Sequence, residues 1–268
     1  MRRFHHTDFP ASSLPEIKQG RTVAVCIPAR DEETTVGAIV RTVRTELMER
    51  IPVVDELVVV DDGSRDATAA VAEKNGALVL AAESSGGGAV AAGKGRAMWR
   101  AVEGTSADVV VFCDADLASF GPHYVTGLAG PLLVDERLLL VKPRYTRSYR
   151  GIPGEGGRVT ELVARPLIAA LFPELGSVSQ PLAGETGVRR DVLDRLHLEH
   201  GYGVEAALLV DVASIGGCQA VAECDLGLRE HRNRPLSELA PQAAEVMQAL
   251  MARSRATAPG SPGAPVRS

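Results

Sequence analysis

A chain of 268 residues is long enough for one large domain with an appendage, and 45% hydrophobic with 24% charged residues is an ordinary soluble composition. The formal net charge of −5 gives no electrostatic reason to expect nucleic acid as a partner. No run approaches the ~18 to 20 apolar residues that span a bilayer, and the opening MRRFHHTDFPASSLPEIKQG lacks the apolar core of a signal peptide, so no membrane partner and a cytoplasmic location are expected. Residues 1–20 read as an irregular, flexible arm. TVAVCIP (22–28) reads as a strand, Val36, Ile39, Val40, Val43 and Leu47 fall at helical spacing, and ELVVV (56–60) makes a second strand. Ser64 can cap a short helix ending near Gly76, ALVL (77–80) can form a third strand, and a helix over 95–103 precedes the strand VVVFC. This alternation predicts an α/β fold: right-handed crossovers and a mostly parallel sheet with helices on both faces. Beyond residue 120 come a helix over 123–135, the strand LLLVK (138–142), a glycine-rich loop, a helix over 158–171 and the turn QPLAGETG. A helix over 203–214, a strand over 219–224, the polar run REHRNRP and a last helix over 236–253 follow, and the Pro/Gly/Ser-rich end, 254–268, reads as disordered. Cys26, Cys113, Cys218 and Cys224 show no metal or disulfide spacing and read as reduced thiols, most of them buried.

The apolar run VVVFC stops at two carboxylates, Asp114 and Asp116. Acids are not buried unpaired, so they belong at the carboxyl edge of the strand, where open α/β sheets bind ligands. Two carboxylates one residue apart can share a hard cation such as Mg²⁺ or Mn²⁺, which takes a few protein oxygens together with water and substrate phosphates. The first strand runs into PARDEE (28–33) and the second into DDGSRDAT (61–68); in a parallel sheet these exits share that edge, which points to a nucleotide site. Each segment alone is also accounted for by turn and cap chemistry. GAVAAGKG (88–95) imitates a P-loop but ends in Gly95 where a metal-binding hydroxyl belongs, leaving Lys94 as a candidate phosphate ligand or a solvated lysine. GEGGRVTEL (154–162) sets glycines and Arg158 at a helix start, an anion site or an ordinary loop capped by Thr160. REHRNRP gathers Arg229, His231, Arg232, Asn233 and Arg234, able to neutralise phosphates or add an imidazole to a metal, or merely a solvated basic face. Glu205 stands in the first turn of its helix, as a dipole partner or as a carboxylate facing an acceptor hydroxyl.

Taken together, PARDEE, DDGS, GKG, DAD, GGRVTELVARPL, QPLAGE, GYGVE and HRNRP resemble the glucosyl-3-phosphoglycerate synthases of actinobacteria, over about residues 20–253. The resemblance implies the GT-A fold, with a nucleotide-sugar-binding half over 21–142 and an acceptor-binding half over 143–253 of one compact domain. It implies a retaining glycosyltransferase that moves glucose from UDP-glucose to the 2-hydroxyl of 3-phosphoglycerate with Mg²⁺ or Mn²⁺, in members that are commonly homodimers. Carried over by motif, Pro28, Ala29, Glu32, Asp62, Lys94, Asp114 and Arg229 bind the donor, and Asp116 with His231 holds the metal. Gly157, Arg158, Thr160, Tyr202 and Asn233 bind sugar or acceptor, and Glu205, Asp116 and Lys94 form the catalytic group. Two departures accompany the resemblance: Asp62 stands where family members often have Ser, and the loop TRSYRGIPGEGG is shorter than its counterpart. The alternatives are a glycosyltransferase of the same scaffold using another nucleotide-sugar or phosphorylated acceptor, and a non-enzymatic nucleotide-sugar-binding protein. A nucleotidyltransferase would carry a glycine-rich basic loop after the first strand, where PARDEE stands; a polyprenyl-phosphate glycosyltransferase would not call for GGRVTEL.

Overall fold

The structure, a computed structural model, describes residues 1–82, 93–149, 152–153, 157–199, 201–230 and 236–256. Its elements run β1 (Arg2–His5), α1 (Leu14–Ile17), β2 (Val23–Ala29), α2 (Val36–Thr42, continued by a π-helical stretch over Val43–Arg50), β3 (Glu56–Asp61), α3 (Thr68–Lys74), β4 (Leu78–Ala81), α4 (Lys94–Glu103) and β5 (Val109–Phe112). There follow α5 (Pro122–Val134), β6 (Leu140–Tyr149), β7 (Ile152–Pro153), α6 (Arg165–Leu171, entered through a π-helical turn over Thr160–Ala164), β8 (Thr186–Arg189), α7 (Arg190–Leu193), α8 (Val204–Gly216), β9 (Val221–Glu230) and α9 (Leu236–Ala256).

The strands form one sheet in the order β1-β9-β6-β8-β5-β2-β3-β4, with β7 hairpinned on β6. On that path β8 alone is antiparallel to its neighbours, β5 and β6. Strand alternation assigns the two cores. Val23, Val25 and Ile27 of β2 and Val109 and Val111 of β5 face the core covered by α1, α2, α3 and α5. Ala24 and Cys26 of β2 and Val110 and Phe112 of β5 face the core covered by α4, α6, α8 and α9. The expected mostly parallel sheet with helices on both faces is therefore present.

Several elements differ from expectation: β6 and β9 run on to Tyr149 and Glu230, past the expected ends at 142 and 224, and Ile152–Pro153 of the expected loop pair with β6. QPLAGETG is not wholly a turn: its last two residues begin β8, wedged mid-sheet. A Cβ on Gly187 would lie 2.4 Å from the Leu128 carbonyl oxygen, so glycine here lets α5 approach the sheet closely. The first 20 residues are not an irregular arm either, because β1 pairs in parallel with β9. Arg2 bonds Asp135, Arg3 Nε reaches Glu223 Oε2 at 3.2 Å, and Phe9 packs onto Gly130 of α5, where any Cβ would meet the ring. The expected disordered tail lies outside the described residues from 257 onward. Cys26, Cys113 and Cys224 are buried and Cys218 half-buried, all of them free thiols. Among the described residues no helix is long and apolar enough to cross a membrane.

Candidate active site

β2, β3 and β5 run in parallel, so PARDEE, DDGS and Asp-Ala-Asp leave the sheet on one edge. Many of the acids in the first two segments serve the loops themselves. Asp31, at φ 55°, accepts the Arg65 N–H at 2.7 Å and donates its own N–H to Ser64 Oγ at 3.0 Å. Glu33 accepts from the Ala67 N–H, Asp66 from Thr68 and the Glu33 N–H, and Asp61 from the Ser64 N–H. These bonds satisfy backbone donors that the turns would otherwise leave open. Glu32 and Asp62 are left facing a cleft of about 220 Å³, lined also by Pro28, Ala29, Arg30, Lys94, Asp114, Asp116 and Tyr202. Asp62 is buried and accepts from Arg96 Nη2 at 3.0 Å, with Arg30 Nη1 at 3.9 Å.

The cleft floor is a web of charge. Lys94, the first residue of α4, donates to Asp114 Oδ1 at 2.6 Å and lies 2.8 Å from Glu205 Oε1. Glu205 is thus interior, in the first turn of α8, facing Lys94 rather than solvent. Arg229, in β9, donates from Nη2 to Asp114 Oδ2 at 3.0 Å and from Nη1 to Tyr145 Oη at 2.8 Å, and packs its guanidinium over the Tyr145 ring. Burial disfavours the Asp114 carboxylate, but Lys94 and then Arg229 outweigh it and hold its pKa well below the ordinary value. Burial likewise opposes the Lys94 ammonium, yet Asp114 and Glu205 hold its pKa well above the ordinary lysine value. Among the described residues Asp116 has no hydrogen-bond partner, and its charged neighbour is Arg229 Nη2 at 3.7 Å.

Several positions packed around the cleft were not legible as such in the sequence. Gly184 lies against this web: a Cβ there would stand 1.9 Å from Asp114 Oδ1 and 2.3 Å from Lys94 Nζ. Glu245 of α9 accepts the Tyr202 N–H at 2.6 Å and crowds Gly201, where a Cβ would lie 2.0 Å from its Oε2, so α9 clamps the loop that brings Tyr202 to the cleft. Lys142, buried in β6, donates to the Ala183 carbonyl at 2.6 Å and to Thr186 Oγ1 at 2.9 Å. A glycine-rich turn and a Lys closing an apolar run carry no pattern that marks these contacts.

Burial pushes Lys142 down to about 8, against the attraction of Glu205 and Glu185. An unfolded lysine titrates near about 10.4, so between about 8 and 10.4 the unfolded chain binds the proton that the native state has released. Native stability should therefore rise with pH across that window, and this increment should vanish in Lys142→Met. Urea midpoints of the two proteins at pH 8 and 10 check it; parallel pH dependences would contradict it.

The remaining expected residues lie elsewhere or are not described. Gly157, with φ 68°, and Arg158 open the helix that carries Thr160, which is buried; these three do not line the cleft. His231 and Asn233 lie outside the described residues, as do residues 150–151 and 154–156 of the short loop and residues 88–92 of the P-loop imitation.

Residues 24–151 match the model of Glycosyl transferase family 2. The glucosyl-3-phosphoglycerate synthase of Mycobacterium tuberculosis (strain ATCC 25618 / H37Rv) is 43% identical over 258 residues, 93% of this chain and 79% of that protein. The glucosyl-3-phosphoglycerate synthase of Petrotoga mobilis is 38% identical over 260 residues, 94% of this chain and 80% of that protein. The crystal structure of the Mycobacterium tuberculosis enzyme in complex with Mn²⁺, UDP-glucose and phosphoglyceric acid superposes with a TM-score of 0.87 at 41% identity, covering 98% of this chain and 89% of that one. Sequence likeness along almost the whole chain, one fold and a charged cleft at the strand exits agree: the chain is a glycosyltransferase of the GT-A fold and belongs to the glucosyl-3-phosphoglycerate synthase family.

Proposed function

We propose that this protein transfers glucose from UDP-glucose to the 2-hydroxyl of 3-phosphoglycerate with retention of configuration, aided by Mg²⁺ or Mn²⁺. The observation that carries the reading is the convergence of Lys94, Asp114, Asp116 and Arg229 on the cleft edge beside the strand exits holding Glu32 and Asp62. The donor set fits a hard divalent cation. Among the described residues Asp116 presents a carboxylate without hydrogen bonds, and no group of three or more ligating side chains comes together. Mg²⁺ needs only one or two carboxylates when phosphate oxygens and water complete its shell. Asp116 would hold the ion, with His231 in the role that the resemblance implies. Bound there, the ion supplies electrostatic stabilisation of the negative charge on departing UDP.

The chain's own groups do the rest. Pro28, Ala29, Glu32 and Asp62 would take the uracil and ribose, while Lys94 and Arg229, kept cationic by their carboxylates, stand ready for diphosphate charge. Glu205 is tied to Lys94 and Asp114 to both cations, and Asp116 is given to the metal, so none of these three carboxylates is offered to the anomeric carbon as a nucleophile. This favours same-face substitution, in which the leaving phosphate takes the acceptor proton. Glu205 then orients sugar or acceptor, and Asp114 contacts the donor.

Gly157, Arg158, Thr160 and Asn233 would hold the acceptor's phosphate and carboxylate, and Tyr202 would border the sugar and acceptor pocket. Arg158→Ala is expected to raise the acceptor KM by about tenfold or more, the loss of one charge-assisted contact, and to leave the UDP-glucose KM unchanged. Steady-state kinetics with each substrate varied checks this, and an unchanged acceptor KM would remove Arg158 from the site. A homodimer and a cytoplasmic location, both implied by the resemblance, belong to the same proposal; a single-chain mass by light scattering, or recovery in the membrane fraction, would contradict them.

A further inference from the structure

Glu185, at the start of β8's approach, has no role in the scheme above. It is fully buried, yet among the described residues neither carboxylate oxygen has a hydrogen-bond partner. Its Oε1 lies 2.9 Å from Arg229 Nη2, an ion-pair distance without hydrogen-bond alignment. Flanking residues fix it in place: Lys142 ties down the Ala183 carbonyl before it and the Thr186 hydroxyl after it. Arg229 is thus held between Glu185, Asp114 and Tyr145, with Asp116 at 3.7 Å, an ion-pair separation too long for a hydrogen bond.

Fold stability does not account for this carboxylate. Burying an ionised group without hydrogen bonds is unfavourable, and replacing buried ionic groups by apolar ones of like volume is often neutral or stabilising. The local charge balance does account for it. Burial pushes the Glu185 pKa up against the pull of Arg229; with Glu185 ionised, Asp114, Asp116, Glu185 and Glu205 set against Lys94, Lys142 and Arg229 leave a formal excess of one negative charge that suits an incoming cation. Without Glu185 that excess is gone, and the carboxylates left to Arg229 are Asp114 and Asp116. The guanidinium then competes with a metal for Asp116.

We propose that Glu185 is a positioning residue: it holds Arg229 back from Asp116 and so leaves that carboxylate open to a divalent cation. The proposal rests on the reading of Asp116 as a metal ligand. Its test is Mn²⁺ binding to the full chain in the presence of UDP, followed by the electron paramagnetic resonance signal of free Mn²⁺, with near-ultraviolet circular dichroism to report folding. Glu185→Gln is expected to raise the Mn²⁺ Kd by about tenfold or more, the order that one nearby charge contributes at an effective dielectric of about 20. Tyr145→Phe, which removes the hydroxyl that accepts from Arg229 Nη1 at 2.8 Å, is expected to raise it by about threefold. Glu185→Gln folded as wild type and binding Mn²⁺ with wild-type affinity would overturn the proposal. Should Glu185→Gln not fold, wild-type Mn²⁺ affinity in Tyr145→Phe would overturn it. Asp116→Asn separates the two readings: wild-type Mn²⁺ affinity there would overturn the metal site itself, whereas its loss leaves Glu185 to be judged by its own variants.

Discussion

Asp116→Asn is expected to lower turnover by about a thousandfold, the scale on which removing one preorganised charge-stabilising group acts, and to leave the melting temperature nearly unchanged. The two halves of this expectation have separate causes. Stability is spared because the Asp116 side chain is one-third exposed and, among the described residues, accepts no hydrogen bond, so no buried donor loses a partner. Activity is not spared, because asparagine keeps the shape and loses the charge that would hold the cation against the diphosphate. Initial rates across a Mn²⁺ titration, paired with thermal melts, check both halves. Turnover within tenfold of wild type at the same Mn²⁺ concentration would remove Asp116 from the metal site.

Gly184→Ala is expected to cost about a hundredfold in kcat, the effect of misplacing reactive groups by about an ångström. The added methyl would fall 1.9 Å from Asp114 Oδ1 and 2.3 Å from Lys94 Nζ, so the pair must separate or swing away. Lys94 is then pushed off both Asp114 and Glu205, and the cleft loses the cation placed nearest its floor. Backbone strain is not the cause, since Gly184 is not among the positive-φ glycines, and the fold should survive. Kinetics with saturating substrates measure the loss. Wild-type kcat in a well-folded Gly184→Ala protein would show that the Lys94–Asp114 contact can shift without consequence.

The architecture was legible where one physical signal dominated. Runs such as VAVCI, LVVV and VVVF are buried on both faces because helices cover both sides of the sheet, and such runs announce themselves. β8 was not legible: Thr186–Arg189 is four residues, too short for a two-residue period, and it follows a glycine-rich turn. β1 was hidden for a different reason. Arg2, Arg3 and His5 are polar and exposed edge residues, and what orders them is tertiary, the pairing with β9 and the seat of Phe9 on Gly130.

The same division runs through the candidate site. Asp114 and Asp116 were legible because a buried apolar strand that stops at two carboxylates must deliver them to the ligand-binding edge of a parallel sheet, and Lys94 follows from its glycine context. The acids of PARDEE and DDGSRDAT could not be sorted in advance. Asp31, Glu33, Asp61 and Asp66 hold the two loops, while Glu32 and Asp62 face the cleft, and the residue types are the same in the two cases. The roles of Glu185 and Lys142 were invisible because a buried polar contact depends on which strands the fold brings together. Glu185 meets Arg229 of β9, and Lys142 of β6 meets Thr186 of β8, both across long separations in the chain.

The most direct test of the proposed reaction is UDP release from UDP-glucose with Mn²⁺, measured with and without 3-phosphoglycerate, with the product identified by mass spectrometry. The expected result is release that depends on the acceptor and yields a glucosylated phosphoglycerate. Release that is the same without acceptor, or binding of UDP-glucose with no glucosylated product, would contradict the proposed acceptor.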